Sequence, residues 1–170
     1  MFSFVWEQRK LGDISDSYSG GTPSISRREY YGGTIPFIRS AEIGQDHTEL
    51  YLTEEGLNNS SAKNVEVGDL LYALYGATSG EVGISQIKGA INQAILVIKP
   101  KKNYNTQFIG QWLGFQKTHI ISKYLQGGQG NLSGSIVKRL EIKFPSFDEQ
   151  NKISLLTELI DNSIAHHQRY

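Results

Sequence analysis

Three apolar runs follow one another between Gly68 and Pro100, GDLLYALYGATSGEVGISQIKGAINQAILVIKP. Leu70 to Tyr75 carries large aliphatic and aromatic side chains on both faces. Val82 to Ile87 has β-branched residues recurring, and Ala90 to Ile98 ends in a nearly continuous aliphatic stretch. Each run predicts a buried strand. Asn92 and Gln93 interrupt the third with amides, which either tie down a neighbouring loop or read a ligand edge. Before this centre, Val5 to Ile14 predicts an opening element with a buried Trp6 and a turn at Gly12-Asp13. Ile35 to Arg39 predicts a short strand whose Pro36 belongs at an edge or a strand start. Leu140 to Phe144 predicts a last strand.

Helical periodicity is confined to three places. Thr53 caps a short turn through Glu54 and Glu55, where the helix dipole favours acids. Asn105 caps a helix whose apolar residues Phe108, Ile109, Trp112, Leu113, Ile120, Ile121 and Tyr124 recur near helical spacing. Gly110 and Gly114 weaken it by about 1 kcal/mol each, which implies close backbone packing there. Ser146 and Glu149 form a capping box for a final helix with Ile153, Leu156, Ile160 and Ile164 on one stripe. The pattern predicts a mixed, strand-rich α/β domain over residues 1–144, with a twisted sheet and packed helices. A protruding helix begins in residues 145–170.

Polar chemistry collects on the loops. Gly76-Ala-Thr-Ser-Gly-Glu81 permits close backbone approach and offers the Thr78 and Ser79 hydroxyls, with Tyr75 at its edge. Leu125 to Gly134 is glycine-rich and presents Gln129, Asn131 and Ser133, but lacks the Gly-Lys-Ser/Thr ending of a phosphate loop. Arg27 and Arg28 stand beside Tyr30 and Tyr31, a pairing that can grip phosphate and stack on bases, or leave the tyrosines under the loop and the arginines in water. Arg39 and Ser40 leave the end of a strand, and Lys138 and Arg139 precede the last one.

Charge changes this picture only when it is followed along the chain. The 17 basic and 17 acidic residues of this 170-residue protein cancel. Yet Glu42 to Glu81 holds eight acids and one base, and Lys99 to Lys143 holds eight bases and one acid. If the fold keeps the two stretches apart, one side of the surface attracts phosphate; otherwise they are a solvated charged face. A chain of this length buries roughly 70% of its unfolded surface. The sequence has no cysteine, which excludes disulfides and thiolate ligands. The opening MFSFVWEQRK has no signal-peptide core and no apolar run approaches a membrane span, so a cytoplasmic protein with no membrane partner is expected.

Catalytic groups do not cluster. His47, His119, His166 and His167 are scattered, and the adjacent last pair points in different directions on a helix, which is poor metal-ligand spacing. Glu141-Ile-Lys143 matches a short nuclease pattern but has no Pro-Asp before it. There is no G-x-S-x-G, no glycine-rich cofactor loop after a strand and no Asn/Asp-Pro-Pro-aromatic tetrapeptide. No catalytic residue, metal or resident cofactor is expected.

Trp6 with Lys10-Leu-Gly-Asp-Ile14, Gly21-Thr-Pro-Ser24, Ile35-Pro-Phe-Ile38, Gly68-Asp-Leu-Leu71, Gly76-Ala-Thr-Ser-Gly80, Asn92-Gln93 and Pro145 with Glu149-Gln150-x-x-Ile153 occur in one order. In that order they resemble the landmarks of one half of the DNA specificity subunit of type I restriction-modification systems. The resemblance implies an α/β target-recognition domain that reads one part of a split double-stranded DNA site. It implies a helix that pairs with a second such helix, from another half-subunit or another copy. It also implies methyltransferase subunits that bring S-adenosylmethionine, with a restriction and translocase subunit joining through the complex. Family subunits carry two recognition domains, whereas this sequence carries one domain and the start of one helix. The expected DNA contacts are Arg27, Arg28, Tyr30, Arg39, Lys138 and Arg139, with Tyr75, Thr78, Ser79, Gln129 and Asn131 closest to the bases. A protein- or carbohydrate-binding domain built on the same loops is the alternative, and steep salt dependence separates DNA binding from it.

Overall fold

The computed structural model describes residues 6–125 and 130–167. Three sheets organise it. The first pairs β1 (Glu7–Lys10) with β10 (Glu141–Phe144). The second has the order β2 (Ser15–Ser19), β9 (Ile95–Pro100), β6 (Leu70–Ala73), β7 (Val82–Ile84), all antiparallel. The third runs β4 (Tyr51–Leu52), β3 (Tyr31–Ile38), β8 (Gly89–Ile91), β5 (Lys63–Val65), and only β3 and β8 are parallel within it. The helices are α1 (Leu11–Ile14), α2 (Glu54–Asn58), α3 (Thr106–Phe115), α4 (Lys117–Tyr124), α5 (Gly134–Lys138) and α6 (Phe147–His167). Among the described residues no helix is long and apolar enough to cross a membrane.

The second sheet is covered on both faces at its centre, which is why β6 and β9 read as unbroken apolar runs while the edge strand β2 is polar and half-exposed. Leu70, Tyr72, Leu96 and Ile98 face a cluster with Ile109, Leu113, Ile120, Ile136 and Val137 from α3, α4 and α5. Leu71, Ile95 and Val97 face Ile38, Val65 and Ile91 of the third sheet. The sheet is thus a shared wall between a helical layer and a second sheet.

The run Ala90 to Ile98 is two strands in two sheets, with Asn92 and Gln93 at the crossing. Asn92 Oδ1 accepts from Ala94 N (3.0 Å), and Gln93 Oε1 accepts from Thr22 Oγ1 (2.7 Å). The amides are therefore loop ties, the first of the two readings. A Cβ on Gly20 would lie 1.9 Å from the Ile91 carbonyl oxygen, so only glycine fits where β2 runs out beside this crossing. The helix expected from Asn105 is also two, broken at Gln116, which ends α3 and opens α4. Gly110 and Gly114 do sit close to the sheet, their absent Cβ positions 3.0 Å from Leu70 Cδ1 and 3.3 Å from Val82 Cγ1. Trp6, expected to be buried, is 45% exposed and meets Phe108 edge-on. Gly12-Asp13 lies in the single turn of α1, and the pair Gly32-Gly33 lies inside β3. Nothing in the apolar spacing had predicted α5, five residues capped by Ser133.

The acidic and basic stretches are not kept apart. Lys99 pairs with Asp69 at 2.9 Å and Lys117 pairs with Glu81, so two basic residues are spent joining the halves. The capping box of α6 forms, Glu149 N donating to Ser146 Oγ (3.3 Å) and Ser146 N to Glu149 Oε2 (3.3 Å). Its first turns are fixed by buried Gln150 and Ser154 and by Ile153, which packs on the main core. Beyond Ile153 the stripe Leu156, Ile160, Ile164 is exposed and is widened by Leu155 and Leu159.

Candidate nucleic-acid interface

The connection from β6 to β7 is a tight loop whose glycines, Gly76 (φ +67°) and Gly80 (φ +82°), take conformations that other residues rarely adopt. Gly80 N donates to Ala73 O (2.9 Å), closing the loop at its base. Tyr75 forms an antiparallel bridge with Asn131, Leu132 N donates to Leu74 O (2.9 Å), and Gly76 N donates to Asn131 Oδ1 (3.4 Å). Two loops expected from separate parts of the sequence are thereby joined, and Tyr75 and Asn131 are both exposed at the junction. Thr78 is half-buried and donates to Ser40 Oγ (2.9 Å). Ser79 is only 5% exposed and donates to Leu74 O (3.2 Å), which makes it part of the loop's internal frame. Gln129 lies outside the described residues.

Ser40 was not singled out as a functional residue, nor were the acids that hold its turn. Glu42 accepts hydrogen bonds from Arg39 Nη2 (2.6 Å), Arg39 N (2.9 Å), Thr48 Oγ1 (2.9 Å) and Glu49 N (3.2 Å). Arg39 also pairs with Glu49 at 2.6 Å. Two carboxylates therefore occupy Arg39, and its position at a strand end reflects a brace for the turn more than a free cation. Burial pushes the Glu42 carboxyl up and is the largest single influence, but these hydrogen bonds together bring it down to about 2. The same partners raise the Arg39 guanidinium. A carboxyl depressed in the folded state stabilises above its unfolded value and loses that contribution as pH falls through the folded value. Acid unfolding should thus show a component between about pH 4.5 and 2. Glu42→Gln is expected to cost about 2 kcal/mol near pH 7 and to flatten that window in urea titrations. The Arg39-x-x-Glu42 spacing was the available signal.

The remaining cations lie elsewhere. Arg27 pairs with Glu29 at 2.5 Å and sits 5.3 Å over the Tyr30 ring, while Arg28 is exposed. Tyr30 is buried under this turn, and Tyr31 OH donates to Pro23 O (2.6 Å), so the tyrosines pack beneath the loop. Arg28 and Arg39 flank opposite ends of β3. Lys138 and Arg139 are exposed at the end of α5, and Lys138 packs its stem on Gly12. The structure thus brings together Tyr75, Thr78 and Asn131, with Arg39 behind them, and leaves Arg27, Arg28 and Tyr30 on a separate edge. Among the described residues no group of His, Asp and Glu is placed to hold a metal ion.

A family model described as the type I restriction modification DNA specificity domain matches residues 5–169. The specificity subunit of the type I restriction enzyme MjaIX from Methanocaldococcus jannaschii is 29% identical, over 96% of this chain and 40% of its own length. A type I restriction enzyme specificity subunit of Escherichia coli is 26% identical, over 94% of this chain and 42% of its own. The crystal structure of the HsdS subunit from Thermoanaerobacter tengcongensis superposes with a TM-score of 0.75 at 19% identity, covering 99% of this chain and 40% of that one. The chain spans about two fifths of the length of these relatives.

Proposed function

Since the chain belongs to the family of type I restriction modification DNA specificity domains, we propose that it recognises one part of a split double-stranded DNA target and directs partner subunits to it. The observation that carries this reading is the exposed Tyr75–Asn131 junction, where two glycine-bounded loops present an aromatic ring and an amide side by side. An amide can pair bidentately with adenine in the major groove, and a tyrosine can stack or donate. The domain of residues 1–144 does the reading, and residues 145–170 begin a spacer helix that pairs with another half-subunit or a second copy. The chain performs no chemistry itself. Methyltransferase subunits supply S-adenosylmethionine and the transfer, and the restriction and translocase subunit acts through the assembled complex.

Mapping the DNA methylation left by a partner methyltransferase with and without this chain tests the reading directly. A sequence-defined pattern that appears only with the chain supports it, and an unchanged pattern overturns it. Changing Tyr75, Thr78 or Asn131 to alanine is expected to alter preference at one base position by ~1–3 kcal/mol, measured across a panel of single-base target variants. A uniform loss instead would make that residue part of the scaffold. Arg28→Ala, Lys138→Ala and Arg139→Ala should each weaken binding across all sequences and lower the logarithmic salt slope by about 0.9. Arg27 and Arg39, already engaged by carboxylates, should give smaller slope changes, and Arg39 should act through the position of its turn. Binding insensitive to salt would favour a protein or carbohydrate ligand for the same loops.

A further inference from the structure

We propose that the cleft between α4 and the start of β10 is a phosphate-binding site. It has a volume of about 410 Å³ and is lined by Trp112, Gln116, His119, Lys123, Tyr124 and Arg139, among others. The spacing from Gln116 to His119 to Lys123 puts three hydrogen-bonding side chains on one face of α4. Buried Ile120, which lines the floor of the cleft beside them, holds that helix in the core, and the opposite wall is held by buried Val137 and Leu140 on either side of Arg139. His119 and Lys123 thus stand on α4, while Gln116 and Arg139 sit in the short turns between α3 and α4 and between α5 and β10.

Charge in the cleft is only partly compensated, since Lys123 and Arg139 share the lining with the single acid Glu141. Lys117, at the start of the same helix, pairs with Glu81. By contrast, neither Lys123 nor Arg139 has an ion pair with an acid among the described residues, and the Lys123 amine lies 5.3 Å over the Tyr124 ring. Glu141 is the one acid on the lining, and its Oε2 accepts from Gln8 Nε2 at 2.7 Å. An arginine fork and an ammonium beside a side-chain amide suit the oxygens of a phosphate. The Trp112 and Tyr124 rings add flat apolar wall, so the chemistry fits a phosphate carried by a nucleoside, either on a nucleic-acid strand or free. The volume lies within the range of small-ligand pockets, roughly 300–1,000 Å³. The strand source rests on the function proposed above; the free-phosphate source does not.

The test titrates the full chain and the Lys123→Gln/Arg139→Gln double variant with two probes, inorganic pyrophosphate and a duplex DNA containing the methylation target. Backbone NMR shifts report pyrophosphate, and affinity against salt reports the duplex. Both side chains are exposed, so an unchanged melting temperature is expected and verifies the fold. Pyrophosphate should move signals of residues 116–124 and 139–141, and the variant should lose about tenfold in affinity. If the cleft holds a strand, the duplex salt slope falls by roughly 2 in the variant. Loss of pyrophosphate binding with an unchanged duplex slope assigns the cleft to a free phosphate. Pyrophosphate binding at the cleft by a chain that does not bind duplex keeps the cleft and removes the DNA reading. Duplex binding with an unchanged slope and no pyrophosphate shifts overturns the cleft and leaves the DNA reading standing.

Discussion

With Leu156 and Ile160 both changed to aspartate, the chain is expected to remain folded and to sediment as a monomer at concentrations where the unmodified chain associates. Both side chains are more than half exposed, at 60% and 51%. Leu155, Leu159 and Ile164 are exposed beside them, and at 100° per residue the five positions cover about half of the helix circumference. Gln150 and Ser154 anchor α6 on a neighbouring face, and Ile153 packs on the core at the start of the same stripe, so the positions beyond it are not part of the anchor. Burying a leucine or isoleucine contributes about 1.5–3 kcal/mol, so losing two from a seam weakens association by about 3–6 kcal/mol, or two to four orders of magnitude in Kd. Sedimentation of the unmodified chain as a monomer at high concentration, or unfolding of the variant, would make the helix a part of the domain alone.

Asn105→Ala is expected to destabilise the domain by about 2–4 kcal/mol and to loosen α6 at the same time. Asn105 Oδ1 accepts from Phe108 N (2.7 Å) as the cap of α3 and from buried Ser154 Oγ (3.2 Å), while its Nδ2 donates to Asn151 Oδ1 (2.6 Å). Loss of a cap costs about 1 kcal/mol, and leaving Asn151 Oδ1 without its donor, together with the lost tie from α3 to α6, accounts for the rest. Ser154 keeps its bond to Gln150 O (2.8 Å), so the helix itself should survive. A lowered urea midpoint together with faster hydrogen exchange in residues 150–157 is the expected signature. A stability loss without the exchange change would mean that the cap alone matters and that α6 is held by other contacts.

What was legible in the sequence followed from local physics. The caps at Thr53, Asn105 and Ser146 form as their spacing predicted, because each depends on a hydroxyl or carbonyl oxygen reaching a backbone N–H within its own turn. The apolar runs at Leu70 and Ile95 marked buried strands because cover on both faces demands apolar side chains at successive positions, while Val82–Ile84 at the sheet edge is only half-buried. Which sheet a strand joins was not legible: the residues on either side of Asn92 and Gln93 are equally apolar, and the sheet each side joins is decided by partners far away in sequence. The break at Gln116 is equally silent, since it leaves the apolar spacing on either side intact. At the candidate site, Tyr75 and Asn131 could be named separately from their glycine neighbours, but their pairing is tertiary. Arg39 is the reverse case. A cation at a strand end reads as available for phosphate until the fold places two carboxylates on it.

The pairing of β1 with β10 has a consequence for how such a unit can be carried within a longer polypeptide. Glu7 stands opposite Phe144 and Lys10 opposite Glu141, so the backbone passes into and out of the globule through neighbouring strands, about 5 Å apart. A segment with adjoining ends can be removed, exchanged or inserted while the flanking chain stays where it was. Exchange of residues 7–144 as a block should therefore transplant the loops and leave the helix that follows in place, provided the incoming block keeps an asparagine at the Asn105 position to hold Asn151 and Ser154, making the unit a cassette whose cargo is separable from its frame.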